Sequence, residues 1–341
     1  MGLLQEVWAS GQLTNQGPMV QRLERSLAKQ IDAKHVQYVA NGTLALQLAL
    51  RALDVTGEVI TTPFSYVATT TAILWERCSP VFVDIEEDTF CIDAKKIEAA
   101  ITPNTRAILA THVYGHPCDV EALGLIGAKH GLKIIYDGAH AFHTFLGARS
   151  VLTFGDVTTL SFHATKLFHT IEGGALVMGN DTLAAATSLL RSFGHVGDEY
   201  YTAGINAKAS EVHAAMGLCL LPKIEALVAR RREISRLYDS HLRAGPLRFP
   251  RPAATLRYNF AYYPVVFPSE KTLLRVRASL AEANIGTRRY FYPSLNRLPY
   301  IHAGPCPIAE AISSSVLCLP LYHELAEADA ERICKIVLSS M

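Results

Sequence analysis

Between Glu58 and Met178 the chain alternates two hydrophobic periods, and this alternation restricts it to a small set of folds. Strand-like runs fall at Glu58–Thr61, Pro80–Val83, Ala107–His112 and Leu132–Tyr136. Helical stretches separate them at Ser65–Trp75, Ala94–Ile101 and Val120–His130. Strands joined by helices of this length run parallel, so the pattern predicts an α/β fold with a mostly parallel sheet covered by helices on both faces. Val157–Phe162 and Ala175–Met178 supply the last strands. In such sheets ligands bind at the carboxyl ends of the strands, which directs the search for chemistry to the loops that follow them.

The flanks read less regularly. The first seventeen residues end in Gly11-Gln-Leu-Thr-Asn-Gln-Gly17 and are expected to be an extended lead-in. Met19–Ile31 then places Val20, Leu23, Leu27 and Ile31 on one helical face, followed by a short strand at Val36–Ala40 and an apolar helix at Leu44–Leu53. After a helix at Leu183–Phe193 comes a polar, glycine-bearing loop, Gly194–Asn206. The long helical stretch Ala207–Ala244 follows, broken or kinked at Pro222. A domain boundary along this stretch divides the chain into a large domain, 1–240, and a small C-terminal α/β domain, 241–341. The latter carries a strand-like Tyr258–Phe267, a helix at Lys271–Asn284, an aromatic-basic segment Arg288–Pro293 and a last helix near Ala326–Ser339.

A net charge of +1 with scattered acids and bases gives no electrostatic footprint for nucleic acid or an anionic membrane, and points to a small-molecule partner. Seven cysteines, none spaced C-x-x-C, read as reduced thiols, with no disulfide framework or metal site expected. No run looks apolar enough to span a bilayer and Met1–Gln12 lacks a signal-peptide pattern, so a soluble, cytoplasmic protein is expected.

The chemistry centres on Gly155–Gly174. Its single lysine, Lys166, lies on the connection between two strands, among Phe162, Leu167, Phe168 and two histidines. Such surroundings partly desolvate an amine and lower its pKa, as a lysine needs before it can attack a carbonyl; such lysines form Schiff bases with a substrate or with pyridoxal phosphate. Around it stand four features, each of which also has an ordinary structural reading. Gly42 and Thr43, directly before a helix, offer free N–H groups to a phosphate, or simply follow an N-cap. Asp137, closing a strand, suits a protonated pyridine nitrogen, and His140 three residues on suits another ring substituent, although Asp137 also fits a turn cap. Tyr66 follows a strand and has the flat face to stack on a ring, or belongs to the core. Ser161 offers a hydroxyl to the phosphate, or marks a strand's polar face.

Taken in order, Pro63-Phe-Ser-Tyr-Val-Ala-Thr69, Val81-Phe-Val-Asp84, Asp137-Gly-Ala-His140, Ser161-Phe-His-Ala-Thr-Lys166 and Glu172-Gly-Gly174 resemble the DegT/StrS family of pyridoxal-phosphate-dependent sugar aminotransferases. The likeness runs from Gly11 to Tyr322. It implies an aspartate aminotransferase-like fold (fold type I) and a homodimer with active sites at the interface. By motif, Lys166 is then the catalytic lysine that links to the cofactor and moves the proton, Asp137 pairs with the ring nitrogen, Tyr66 stacks on the ring, and His140 approaches its hydroxyl side. Gly42, Thr43 and Ser161 hold the phosphate, and Asn206, in Gly204-Ile-Asn206, reaches the neighbouring subunit's phosphate. Arg288 and Tyr290 fall where substrate is contacted, and His163, beside the lysine, either contacts the sugar or is simply a packed histidine, whereas Asn296 stands where many members have histidine.

The same resemblance implies transfer of an amino group from glutamate to a nucleotide-linked keto-deoxysugar, as in deoxysugar pathways of O-antigen or lipopolysaccharide. The motifs around Lys166 and Arg289–Pro293 are most similar to members acting at C4 of a TDP-linked 4-keto-6-deoxyhexose. A C3 specificity is the alternative within the class. Relatives with histidine in place of the lysine carry out dehydration, and a non-catalytic regulator would be expected to lose Asp137 or Lys166. A lyase or aldolase would share these cofactor residues.

Overall fold

A computed structural model describes residues 2–251 and 255–341. Its centre is a seven-stranded sheet in the order His35–Val39, Gly174–Met178, Val157–Ser161, Lys133–Asp137, Thr105–Thr111, Glu58–Thr61 and Ser79–Phe82. Every strand runs the same way except Gly174–Met178, which is antiparallel to both neighbours. The reversal has a local cause. The connection from Ser161 to Gly174 holds no crossover helix; Phe162 N–H donates to Gly173 O at 2.8 Å and Thr170 N–H to Phe162 O at 2.9 Å, so the chain doubles back beside its own strand.

Successive strand residues face opposite ways. Val59, Ala107, Leu109, Ile135 and Val157 pack on the helix Gly42–Ala52 through Leu46, Ala49 and Leu50. On the other face, Ile60, Ile108, Ala110, Ile134 and Tyr136 meet Leu123 and Ile97, and Tyr38, Leu160 and Val177 meet Leu23 and Leu27 of Pro18–Ile31. A separate core gathers Ile234, Tyr238 and Leu242 of the helix Ile224–Leu242 with Leu273, Val276, Ile333 and the two-stranded ribbon of Tyr263–Val266 and Val316–Leu319.

Several elements depart from the sequence reading. The expected extended lead-in is a helix over Gly2–Ser10, with Val7 buried. The following helix, Pro18–Ile31, has glycine at its cap, and its free N–H groups go instead to the fully buried Glu211 carboxylate, which accepts from Gly17 at 2.8 Å, Met19 at 2.7 Å and Val20 at 3.2 Å. The stretch Glu211–Leu242 does contain a window apolar enough to cross a membrane. However, it is two helices joined through a 3-10 turn at Leu221–Lys223, beginning at that buried Glu211. Tyr258–Phe267 is not one strand: only Leu256–Arg257 and Tyr263–Val266 pair, because Asn259 turns inward and its Nδ2 donates to His140 O at 2.7 Å and Phe142 O at 2.8 Å. The helix Pro307–Ser315 and strand Val316–Leu319 were not legible beforehand.

Candidate active site

The carboxyl ends of the parallel strands open onto a cavity of about 330 Å³. Ten predicted residues line it: Gly42, Thr43, Tyr66, Asp137, His140, Ser161, His163, Lys166, Arg288 and Tyr290. Asn206 does not; it lies exposed beyond the short hairpin of His195–Val196 and Glu199–Tyr200.

Lys166 follows a tight turn in which its own N–H donates to His163 O at 2.9 Å. The next two residues, Leu167 and Phe168, are buried, and Phe168 stacks on Phe142 with ring centroids 4.7 Å apart, which anchors the turn and sends the amine into the cavity. There Nζ donates to the Tyr262 hydroxyl at 3.4 Å. Burial pulls the amine down from an ordinary 10.5 to about 8, with the Asp137 charge opposing.

Asp137 ends the strand Lys133–Asp137. Its Oδ1 accepts from Ala139 N–H at 3.0 Å and its Oδ2 from the Thr69 hydroxyl at 2.8 Å. Thr69 has one hydroxyl proton and spends it on Asp137, so the 2.7 Å contact between Ser65 Oγ and Thr69 Oγ1 has Ser65 as donor; Ser65 in turn accepts from Thr111 at 3.0 Å. Three hydroxyls are thereby ordered toward one carboxylate. Burial raises the Asp137 pKa, while Thr69, Ala139 N–H and Lys166 hold it down. None of Ser65, Thr69, Thr111 and Tyr262 was singled out from sequence. Ser65 and Thr69 sit four apart in Pro63–Thr69, a spacing that places them together, but Tyr262 lay inside an expected strand and gave no signal.

His140 Nδ1 accepts from Tyr114 N–H at 3.1 Å, which leaves the proton of the neutral ring on Nε2. Its ring lies nearly parallel to Phe291 and Tyr114, at 5.5 and 6.3 Å between centroids. Burial, helped by Lys166, holds the imidazole well below its ordinary pKa, so it is neutral at pH 7.

The helix Gly42–Ala52 points its N-terminus at the cavity. Asn41 caps it by accepting from Leu44 N–H at 2.9 Å, and the earlier N–H groups of Gly42 and Thr43 have no helical partner. A Cβ on Gly42 would stand 2.8 Å from Ser161 Cβ, so only glycine lets the helix end close on the Ser161 hydroxyl. Tyr66, immediately before the helix Val67–Trp75, is 56% exposed at the cavity mouth. His163 is exposed, its Nδ1 2.8 Å from Thr165 Oγ1 and its Nε2 3.6 Å from Glu172. Asn296 is buried away from the cavity, its amide donating to Glu310 at 2.8 Å and Gly304 O at 3.1 Å; it holds a loop.

The sequence profile of the DegT/DnrJ/EryC1/StrS aminotransferase family matches residues 1–338. A dTDP-4-amino-4,6-dideoxy-D-glucose transaminase of Escherichia coli is 40% identical over all of this chain and 95% of its own length. The enzyme of the same description from Shigella dysenteriae is 40% identical over 98% of this chain and 93% of its own. The crystal structure of DesI in the presence of its TDP-sugar product superposes with a TM-score of 0.94 at 32% identity, covering 99% of this chain and 89% of that one. The chain belongs to the DegT/DnrJ/EryC1/StrS aminotransferase family, whose cofactor is pyridoxal phosphate. The residues present fit that group: a lysine with a lowered pKa, a buried carboxylate at a strand end, and a helix N-terminus closed against a serine by a glycine that no larger residue could replace.

Proposed function

We propose that this aminotransferase moves the amino group of glutamate to C4 of TDP-4-keto-6-deoxyglucose, giving TDP-4-amino-4,6-dideoxyglucose and 2-oxoglutarate. The observation that carries the reading is the end-to-end 40% identity with enzymes named for that product. It is supported by a site whose lysine, carboxylate and neutral histidine face one cavity.

Pyridoxal phosphate supplies a carbonyl for the lysine amine and a ring that takes up electrons when a proton leaves the donor's α-carbon. The protein's residues do the rest. Lys166 Nζ takes that proton and delivers it, and its lowered pKa leaves a useful fraction of free amine near neutral pH. Asp137, kept an acceptor by Thr69 and Ala139 N–H, would pair with the ring nitrogen and keep it protonated. His140 would offer Nε2–H to the hydroxyl side of the ring, Tyr66 would face the ring from the mouth, and Gly42, Thr43 and Ser161 would hold the phosphate. His163, Arg288 and Tyr290 would meet the sugar nucleotide.

The active unit in this reading is a homodimer, with Asn206 reaching the partner's phosphate. The surface around Asn206 supports it, since Phe193, Val196, Tyr200, Tyr201 and Ile205 are all exposed there, an apolar cluster of the kind that interfaces cover. The test is to load the enzyme with cofactor, add glutamate and then TDP-4-keto-6-deoxyglucose, and follow both the visible absorption and the products. Glutamate should abolish the lysine-bound cofactor band, and the keto sugar should restore it with formation of the 4-amino sugar. A band that ignores glutamate, or amination at C3, would overturn the assignment.

A further inference from the structure

Beside the catalytic cavity lies a second one of about 150 Å³ that shares Thr165, Arg288 and Tyr290 with it. Arg231 and Arg288 both line this side chamber, and no aspartate or glutamate does. Arg231 is only 9% exposed, and the one hydrogen bond of its guanidinium among the described residues runs from Nη1 to Ala261 O at 3.0 Å. A guanidinium carries five N–H donors, so most of its capacity is unused by the protein. Among the described residues neither arginine has a carboxylate within ion-pair distance, whereas the buried Arg191 pairs with Glu24 at 2.6 Å. A cation largely withdrawn from water with no counter-ion is costly, and binding an anion in the chamber offsets that cost.

The position of the chamber specifies which anion. Arg231 holds the carbonyl of Ala261, and the next residue, Tyr262, lines the chamber and meets Lys166 Nζ at 3.4 Å. A carboxylate on Arg231 therefore sits within the span of a short amino acid from the lysine. The threonines Thr165 and Thr287 add hydroxyls on the same wall. The space is too small for a nucleoside diphosphate and suits a carboxylate on a short aliphatic arm.

We propose that this chamber is the amino donor's carboxylate site, with Arg231 as its buried anchor and Arg288 at the opening shared with the catalytic cavity. The assignment rests on the transaminase reading and names where that reaction's donor is recognised.

The test separates the two half-reactions. In the cofactor-loaded enzyme, Arg231→Met should raise the glutamate concentration that half-saturates loss of the cofactor band by about 10- to 100-fold, the loss expected for a charged hydrogen bond. Arg231→Lys should fall between this and wild type, and the concentration of keto sugar needed for the return step should be unchanged in both. Independently of turnover, calorimetric binding of glutarate to the cofactor-free protein should weaken in the same order. Arg288→Met, at an exposed position that does not threaten folding, should also weaken glutarate binding. Unchanged glutamate saturation and glutarate binding in Arg231→Lys and Arg288→Met would overturn the site. So would a defect confined to the keto-sugar step, which would place a sugar-nucleotide phosphate there. A wild-type enzyme that binds glutarate through these arginines yet ignores glutamate would sink the transaminase reading and keep the anion site.

Discussion

Lys166 should make the cofactor-free protein less stable, and replacing it with methionine should make that protein more stable. The amine titrates near 8 in the fold against an ordinary 10.5, so at pH 7 holding it protonated costs about 3 kcal/mol at about 1.4 kcal/mol per decade. The attraction to Asp137 is already contained in that net figure, since it acts against the larger burial effect. Methionine has similar length, no charge and enough freedom to fill the same space. The substitution forfeits one long hydrogen bond, to Tyr262 at 3.4 Å, which is worth little. For a chain of 341 residues, with unfolding entropy near 2.1 cal/mol/K per residue, about 3 kcal/mol corresponds to a rise in Tm of about 4 °C.

Its pH dependence makes the prediction specific. Below pH 8 both the folded and the unfolded lysine are protonated and the penalty is constant. Between about 8 and 10.5 the folded amine has released its proton while the unfolded one keeps it, so wild-type stability rises with pH. The gap between Lys166→Met and wild type should therefore be widest at pH 7 and about three-fifths as large near pH 9. Scanning calorimetry of both cofactor-free proteins at pH 7, 8 and 9 measures it. A methionine variant that is equally or less stable at pH 7, with a gap that does not change with pH, would show that Lys166 is not a desolvated cation, and the account of its reactivity would fall with it.

Two further outcomes follow from the same geometry. Gly42→Ala places a Cβ 2.8 Å from Ser161 Cβ, so the helix end must retreat; cofactor affinity, read by titrating the visible band, should fall at least about tenfold while the far-UV circular dichroism of the protein stays that of wild type. Asp137→Asn keeps the shape and removes the charge that Thr69 and Ala139 N–H support, and turnover should fall about 10²–10³-fold with cofactor still bound, as measured by product formation against bound-cofactor absorbance.

What could be read in advance follows from range. Strand and helix periods are local, so the parallel strands and the helix Val120–His130 were placed nearly to the residue. Asp137 and Gly42 could be placed facing one cavity with Lys166 because each sits at the end of a locally legible element, and Lys166 because two legible strands bound the short connection that carries it. The helix Gly2–Ser10 was missed because it depends on packing beside a helix some two hundred residues later. The buried Glu211, which serves as the missing cap of Pro18–Ile31, is separated from Gly17 by 194 positions. Tyr262 was missed for a similar reason: its chain is held as an irregular segment by Asn259, whose partners His140 and Phe142 lie more than a hundred positions earlier.

The site's groups also explain one another once burial is considered for all of them together. Asp137 is pushed toward its neutral form, Lys166 toward its free amine, and His140 toward its neutral ring, each by the same loss of water. A carboxylate and an ammonium facing one cavity would ordinarily stabilise each other, yet here burial outweighs their attraction on both sides. The Thr69 hydroxyl, held in place by Ser65 and Thr111 behind it, donates to Asp137 without neutralising it. The chain thus keeps a carboxylate in need of a proton donor, an amine ready to lose its charge, and a helix end with unshared N–H groups, all facing one cavity. A cationic ring nitrogen, a carbonyl and a phosphate on one small planar molecule answer those three needs together. Binding should accordingly be cooperative among the three: removing the carboxylate at Asp137 should weaken the lysine's contribution to cofactor affinity as well as its own, so the affinities of Asp137→Asn, Lys166→Met and the double variant should not combine additively.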